Sequence, residues 1–367
     1  MQAEDARRIV QTFDPDRLRI AREAVGLLKR ELAERVGITA GAISQYEGGK
    51  VRPSPGTLVQ IAQHLGYPVE FFVSDRPVEE AEAAGGFFRK LSRAPSRQRR
   101  QAVVFPLLLR DLVNTIDLYV RLPEVDIPHF DTTASATQAD VEDVAQRVRE
   151  EWKTPPGPVP HMVRLLESHG VIVVRLPAGS TALDAFSRWF PDHPVVVLYS
   201  DKGDTSRSRF DAAHELGHLV MHRSAPYDSD WVEEQANWFA AAFLMPADDI
   251  RRELPHSVSW VELIRLKLRW GASIAALLRR ARTLDRLDQQ QYESAMKTLS
   301  VRGWRKKEPG QLGKPEAPIL LERAIALLED EGVSIDTLAD KSRLPASEVH
   351  QWLAAASDPR PSIRIEP

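Results

Sequence analysis

The first quarter of the chain places apolar residues at helical spacing, and glycines interrupt the pattern. Residues 14–75 predict five short helices, the second ending at Gly37 and the third starting behind Thr39, a favourable N-cap. A helix, a glycine turn and a capped helix in succession are typical of a helix-turn-helix. The side chains expected to form its core are Leu18, Leu32, Ala33, Val36, Ile43, Leu58, Ile61, Ala62 and Leu65.

In such folds the third helix is the element that enters the major groove of DNA. Behind Thr39, its outward positions here are Ala40, Gly41, Ser44 and Gln45. Gln45 is able to read adenine, whereas Ala40 and Gly41 offer almost no polar contacts. Phosphate contacts are expected from the basic residues Lys29, Arg30, Lys50 and Arg52. The pattern predicts DNA binding, with protein binding or DNA binding of low sequence specificity as alternatives.

The remaining chain combines helices with a few short apolar runs. Helical periodicity recurs at residues 101–122, 138–152, 161–169, 209–222, 231–245 and 319–331. Apolar runs rich in β-branched residues predict short strands at 171–176 and 195–199. Residues 335–353 repeat a helix-turn-helix pattern with mixed charge, which favours protein packing over DNA reading.

Composition narrows the class of protein. A chain of 367 residues with 43% hydrophobic and 28% charged residues is expected to be soluble and to form two or three domains. The net charge of −3 gives no global basic field, so any DNA binding must come from a local patch. The absence of cysteine excludes disulfides and cysteine-based sites, and it fits a reducing cytoplasm. Neither a signal peptide nor a membrane span is expected from the sequence.

The segment His214-Glu215-Leu216-Gly217-His218 carries the most specific chemistry in the chain. Residues four apart share one face of a helix, so both imidazoles are able to hold one metal ion. Glu215 would then lie beside the open coordination position, as a general base does in zinc hydrolases. Apolar residues at helical spacing support an amphipathic helix here: Ala212, Ala213, Leu216, Leu219 and Val220.

A second predicted helix supplies carboxylates for a third ligand. Glu233 is the favoured ligand and Glu234 is the alternative, although both would indicate only a solvated face without the histidine motif. Asn237 lies four residues after Glu233 and is expected to contact the far nitrogen of a ligating histidine. Two histidines and one glutamate make Zn²⁺ the expected metal, and Mn²⁺ or Fe²⁺ also suit such a site.

Three further side chains are candidates for a role at the same site. His222 follows His218 by four residues, where direct ligation is awkward. Packing or helix capping is expected there, and contact with the substrate or with a ligating residue is the alternative. Tyr199 and Tyr227 are candidates to stabilise an oxyanion, with packing as the default interpretation.

These motifs resemble the ImmA/IrrE family of metallopeptidases. The resemblance is carried by His214–His218 and by the run from Glu233 through Asn237 to Pro246, with supporting segments at 150–160, 165–174, 266–281 and 303–309. Gln235 stands where many relatives have a second glutamate, which is not expected to matter because Glu233 is the proposed ligand. The N-terminal helices resemble phage-repressor-like domains of the XRE type.

The resemblance implies a zincin-like fold and cleavage of a transcriptional repressor under stress or phage induction. It assigns metal binding to His214, His218 and Glu233, and the base role to Glu215. The expected partners are a protein substrate, DNA through the N-terminal domain and a second copy of the chain, because repressor-like domains often pair. The alternatives are a DNA-binding regulator whose peptidase-like domain is a sensor or interaction module, and a toxin–antitoxin-like pair in one chain.

The predicted fold class is multidomain and mainly α. Five segments are expected: a five-helix helix-turn-helix domain at 1–78, a helical linker at 79–137, an α+β zincin-like metallopeptidase domain at 138–255, a helical extension at 256–312 and a C-terminal helical, helix-turn-helix-like module at 313–367.

Overall fold

The computed structural model describes residues 11–73, 95–176, 185–199, 204–223, 225 and 229–357, except the side chains of 354–357. The chain forms two compact units. Among the described residues, unit 1 contains 11–73, 95–122 and 321–357, and unit 2 contains 123–176, 185–199, 204–223, 225 and 229–320. The prediction of a multidomain, mainly α protein is confirmed, and the five segment boundaries remain predictions.

Unit 1 begins with the helix-turn-helix. Its elements are α1 (Pro15–Val25), α2 (Lys29–Val36), α3 (Ala40–Glu47), α4 (Pro55–Leu65) and a short 3-10 helix (Val69–Phe72). Asp14, Thr39 and Ser54 cap three of these helices by accepting backbone N–H groups. Gly37 ends α2 with a φ of 74°, a left-handed conformation that favours glycine.

The residues predicted to form the core of this domain are all buried in the structure except Val36, which is half-buried. Arg22 of α1 ties the core to α3. Its Nε donates to Glu47 Oε1 at 2.5 Å, and the side chains are only 4% and 3% exposed. This buried ion pair fixes α3 relative to α1.

The described part of unit 1 contains four more helices: α5 (Ser96–Asp117), α14 (Leu320–Asp330, its first residue in unit 2), α15 (Ile335–Ser342) and α16 (Ala346–Ser357). The predicted helix at 101–122 therefore starts and ends five residues earlier. The Tyr67 hydroxyl donates to Glu348 Oε2 at 3.0 Å, and the rings of Phe105 and Trp352 meet edge to face at 5.4 Å. The C-terminal helices thus pack against the helix-turn-helix and α5.

Unit 2 contains a small sheet and the remaining helices. The chain order is α6 (Gln138–Glu151), α7 (Met162–Ser168), β1 (Ile172–Leu176), β2 (Ala185–Arg188), β3 (Val195–Tyr199), α8 (Thr205–Met221), α9 (Asp230–Leu244), α10 (Ala247–Ile250), α11 (Trp260–Trp270), α12 (Ile274–Thr283) and α13 (Gln289–Val301). The strand order is β1-β3-β2, with β1 parallel and β2 antiparallel to β3. The sequence predicted β1 and β3 but not β2.

The two central helices of unit 2 pack closely at a glycine. A Cβ on Gly217 of α8 would lie 3.1 Å from Cδ1 and 3.2 Å from Cβ of Phe239 on α9. Ordinary carbon–carbon contacts are about 3.5–4.0 Å, so the missing side chain allows this approach. No helix among the described residues is both long and apolar enough to span a membrane.

Candidate metal centre

The helix α8 presents the histidine motif in the interior of unit 2. Asp204 caps the start of the helix, its carboxylate accepting the backbone N–H of Ser206 at 2.9 Å. His214, Glu215 and His218 are each 1% exposed. The helix spacing places the two imidazole rings 4.7 Å apart between centroids.

The helix α9 brings Glu233 to these rings. Its Oε2 lies 3.6 Å from His214 Nε2, and its Oε1 lies 3.5 Å from His218 Nε2. Together the three residues form a group whose potential ligand atoms all lie within 4.8 Å of one another. Glu234, the alternative ligand from the sequence, is exposed and does not belong to this group.

The donor set fits a metal such as zinc. The Nε2 atoms of His214 and His218 face each other at 3.0 Å. Ligand atoms about 2.0–2.1 Å from a tetrahedral zinc ion lie about 3.3 Å apart, which is close to the separations observed. A negative carboxylate beside two imidazole nitrogens is also a favourable environment for a divalent cation.

Asn237 lies on α9 beside the ring of His214. Its Oδ1 is 3.2 Å from His214 Nδ1, so the ring donates from Nδ1 and directs its Nε2 lone pair towards Glu233. Such an outer contact fixes both the tautomer and the orientation of a ligating histidine.

Glu215 accepts a hydrogen bond from a residue that the sequence does not predict at the site. The Ser187 hydroxyl on β2 donates to Glu215 Oε2 at 2.7 Å, and Ser187 is fully buried. The residues of β2 are Ala-Phe-Ser-Arg, without the β-branched run that indicates a strand. The apolar run of β3 predicts that some strand pairs with it, but it does not identify Ser187 as part of that strand.

His222 is the C-cap residue of α8 and is fully buried, as the packing and capping interpretation predicted. Its Nδ1 lies 3.1 Å from His218 Nδ1, and its Nε2 lies 3.1 Å from Gln235 Oε1. Burial lowers the pKa of His222 to about 4, against smaller raising effects from Gln235 and Glu233.

Of the two tyrosines that are candidates to stabilise an oxyanion, the structure describes Tyr199 but not Tyr227. Tyr199 ends β3, its ring 6.4 Å from that of Phe186, and burial raises its pKa to about 12. It is therefore neutral at physiological pH. Tyr227 lies outside the described residues.

The predicted DNA-contacting residues lie on or beside α3. Thr39 Oγ1 accepts the Ala42 N–H at 3.1 Å, as an N-cap does. Lys29 Nζ lies 3.2 Å from both Ser44 Oγ and Glu47 Oε2, so its charge is partly compensated within the domain. The exposed members of the predicted set are Arg30, Thr39, Ala40, Gly41, Ser44, Gln45, Lys50 and Arg52.

Comparison with protein families agrees with both parts of the molecule. Residues 18–72 match a helix-turn-helix family, and residues 166–282 match a peptidase family described as the IrrE N-terminal-like domain. The resemblance predicted from the sequence is thus confirmed for these two segments. The chain joins a helix-turn-helix domain to an IrrE N-terminal-like domain.

Curated relatives match a short stretch of the chain. An uncharacterised HTH-type transcriptional regulator of Sinorhizobium medicae is 39% identical over 61 residues, which are 17% of this chain and 44% of the relative. A transcriptional regulator in the ATPase CF(0) region of Rhodospirillum rubrum is 39% identical over 59 residues, or 16% of this chain and 55% of the relative. The matched stretch thus spans about half the length of these relatives.

Proposed function

We propose that this chain is a zinc-dependent endopeptidase fused to a DNA-binding domain, and that it cleaves a protein controlling transcription, such as a repressor or antitoxin-like protein. The observation that carries the proposal is the buried group of His214, His218 and Glu233, with Glu215 on the same helical turn. The substrate class is supported by the fusion to a helix-turn-helix domain.

His214, His218 and Glu233 would hold the zinc ion, which would supply polarisation of the scissile carbonyl and a lowered pKa of the attacking water. Glu215 is the general base that takes the proton of the water and passes it to the leaving amine. Ser187 holds the Glu215 carboxylate through its hydroxyl at 2.7 Å, so that the base does not have to be oriented during the reaction. Asn237 holds His214 in the tautomer that offers Nε2.

The metal content of the purified full chain tests the site directly. We expect about one zinc ion per chain by mass spectrometry, as in mononuclear hydrolases. The ion is expected to be lost in His214→Ala, His218→Ala and Glu233→Ala but kept in Glu234→Ala, the exposed neighbour that serves as a matched control. Absence of metal from the wild type after reconstitution would contradict the proposal.

Cleavage is tested by comparing wild type with Glu215→Gln, which should retain the metal and the contact with Ser187. Cell lysate incubated with each protein is analysed by mass spectrometry of newly formed protein N-termini. Termini formed by the wild type alone support the peptidase, and those of a transcriptional repressor support the substrate class. Identical sets from both proteins would favour the alternative, a regulator whose peptidase-like domain senses metal.

DNA binding is tested by fluorescence anisotropy with a labelled duplex at several salt concentrations. Lys50→Ala and Arg52→Ala should each reduce the salt dependence by about one phosphate contact. Arg269→Ala is the control, since this exposed arginine lies on α11 in unit 2. Binding without salt dependence would contradict the assignment of phosphate contacts.

A further inference from the structure

Behind His218, a line of hydrogen bonds continues into the interior of unit 2. It runs from His218 Nδ1 to His222 Nδ1 at 3.1 Å, and from His222 Nε2 to Gln235 Oε1 at 3.1 Å. His222 is 0% exposed and Gln235 is 1% exposed. None of the steps proposed above uses either residue.

The amide of Gln235 is fixed in one orientation by two residues of the segment before α6. Its Nε2 donates to the Thr133 carbonyl oxygen at 2.8 Å, and its Oε1 accepts the Thr132 hydroxyl at 2.8 Å. A backbone carbonyl only accepts hydrogen bonds, so the NH₂ group must face Thr133. The amide oxygen therefore faces His222.

The orientation of the Gln235 amide determines which atom donates in each hydrogen bond of the line. Because the amide oxygen only accepts, His222 must donate from Nε2, and a neutral ring then carries its lone pair on Nδ1. That lone pair accepts from His218, which must donate from Nδ1. His218 is left with its own lone pair on Nε2, the atom that lies 3.0 Å from His214 Nε2 and 3.5 Å from Glu233 Oε1. Two lone pairs at this separation require a metal ion or a shared proton between the two nitrogens.

We infer that His222 and Gln235 are positioning residues that hold His218 in the tautomer able to bind the metal. The inference rests on the proposed metal site. Asn237 holds His214 in the same tautomer through one direct contact at 3.2 Å. His218 is held through two successive hydrogen bonds, by way of His222 and Gln235. In both ligand histidines the Nε2 lone pair is then directed to the metal site.

The amide at position 235 is what gives the line its direction. A carboxylate in its place would be unable to donate to the Thr133 carbonyl, so this anchor would be lost. Gln235 therefore holds a position that a glutamate could not fill with the same hydrogen bonds.

The tautomers are directly observable in the full chain labelled with ¹⁵N-histidine. Long-range ¹H–¹⁵N correlation spectra of the metal-free protein should show His218 protonated on Nδ1 and His222 protonated on Nε2, assigned with the variants His218→Ala and His222→Asn. A His222 ring protonated on Nδ1 would overturn the inference. This measurement does not depend on metal binding.

Zinc affinity, measured by competition with a chromophoric chelator, provides the second readout. His222→Phe should bind Zn²⁺ about 10–100-fold more weakly, the usual effect of losing such an outer partner. His222→Asn should recover most of the affinity, because its amide oxygen is able to accept from His218 Nδ1. His193→Phe is the matched control, since His193 is also buried but faces the Gly170 carbonyl at 3.3 Å.

The outcomes separate the inference from the proposed function. Unchanged affinity in His222→Phe, or equal losses in His222→Phe and His222→Asn, would refute the positioning role while leaving the metal site in place. If the wild type binds no zinc, the proposed function fails, and the tautomers alone decide whether the line of hydrogen bonds has the inferred direction. Thermal unfolding of the metal-free variants identifies any general loss of folding.

Discussion

Replacing Gly217 with alanine is expected to separate the two helices that build the site. The new Cβ would meet three atoms of Phe239, Cδ1 at 3.1 Å and Cβ and Cγ at 3.2 Å each. Phe239 is fully buried, and its Cβ is attached directly to the backbone of α9. A rotation of the ring therefore cannot relieve the contact, and α9 must move by a few tenths of an ångström.

Two opposing effects determine the magnitude. Alanine favours the helix by about 1 kcal/mol relative to glycine. Overpacking a buried contact costs about 1–3 kcal/mol. We expect Gly217→Ala to lower the free energy of unfolding of unit 2 by about 1 kcal/mol, the difference between these effects. Zinc affinity should fall as well, because Glu233 lies on the displaced helix.

Urea unfolding followed by tryptophan fluorescence measures this effect, since every tryptophan except Trp352 lies in unit 2. Gly41→Ala is the matched comparison, followed by circular dichroism. Its Cβ would meet only Thr39 Oγ1 at 3.7 Å, so it should stabilise unit 1 by about 0.4–1 kcal/mol. If Gly217→Ala stabilised its unit by a similar amount, the reasoning about helix approach would be refuted.

Three further predictions concern other parts of the molecule. Glu47→Ala removes the nearest carboxylate from the buried guanidinium of Arg22, which keeps Glu23 at 3.3 Å and the Leu27 carbonyl, and it should destabilise the helix-turn-helix by about 1.5–3 kcal/mol, measured by circular dichroism; a loss below about 1 kcal/mol would contradict this, since that is the value of a surface pair. Burial raises the pKa of Glu348 from its ordinary 4.5, against a smaller lowering effect of the Tyr67 hydrogen bond. The folded protein therefore holds this proton more tightly than the unfolded chain, so the stabilising contribution is complete below pH 4.5 and is lost as the pH rises through the raised pKa. Glu348→Gln should remove this pH dependence and make unit 1 more stable at pH 7, and an unchanged pH profile of its unfolding would refute the assignment. Free zinc at 100 times its dissociation constant should raise the free energy of unfolding of unit 2 by about 2.7 kcal/mol in the wild type and by nothing in His214→Ala, which equal shifts in both proteins would disprove.

Local features of the sequence predicted much of this molecule. Thr39 and Gly37 mark helix ends by their own capping and backbone preferences, so the helix-turn-helix was accessible without tertiary information. The group of His214, Glu215 and His218 depends only on helix geometry. Glu233 and Asn237 were candidates because they lie four residues apart on the next predicted helix, and therefore on one face of it.

The parts that escaped prediction depend on long-range packing. Ser187 meets Glu215 because a four-residue strand pairs with β3, and nothing within those four residues specifies the partner. The orientation of the Gln235 amide is set by Thr132 and Thr133, about 100 residues earlier in the chain. Contacts of this kind have no signature in a single sequence.

The position of Glu233 on a separate helix has a consequence for the chain as a polymer. His218 and Glu233 are about 15 residues apart, so an ion held by both closes a loop, as a disulfide does. In a chain-entropy treatment, closing a loop of this length disfavours the unfolded ensemble by about 3 kcal/mol. A chelator should therefore loosen α9 from α8, which hydrogen exchange of the α9 amides would register before any change in the sheet.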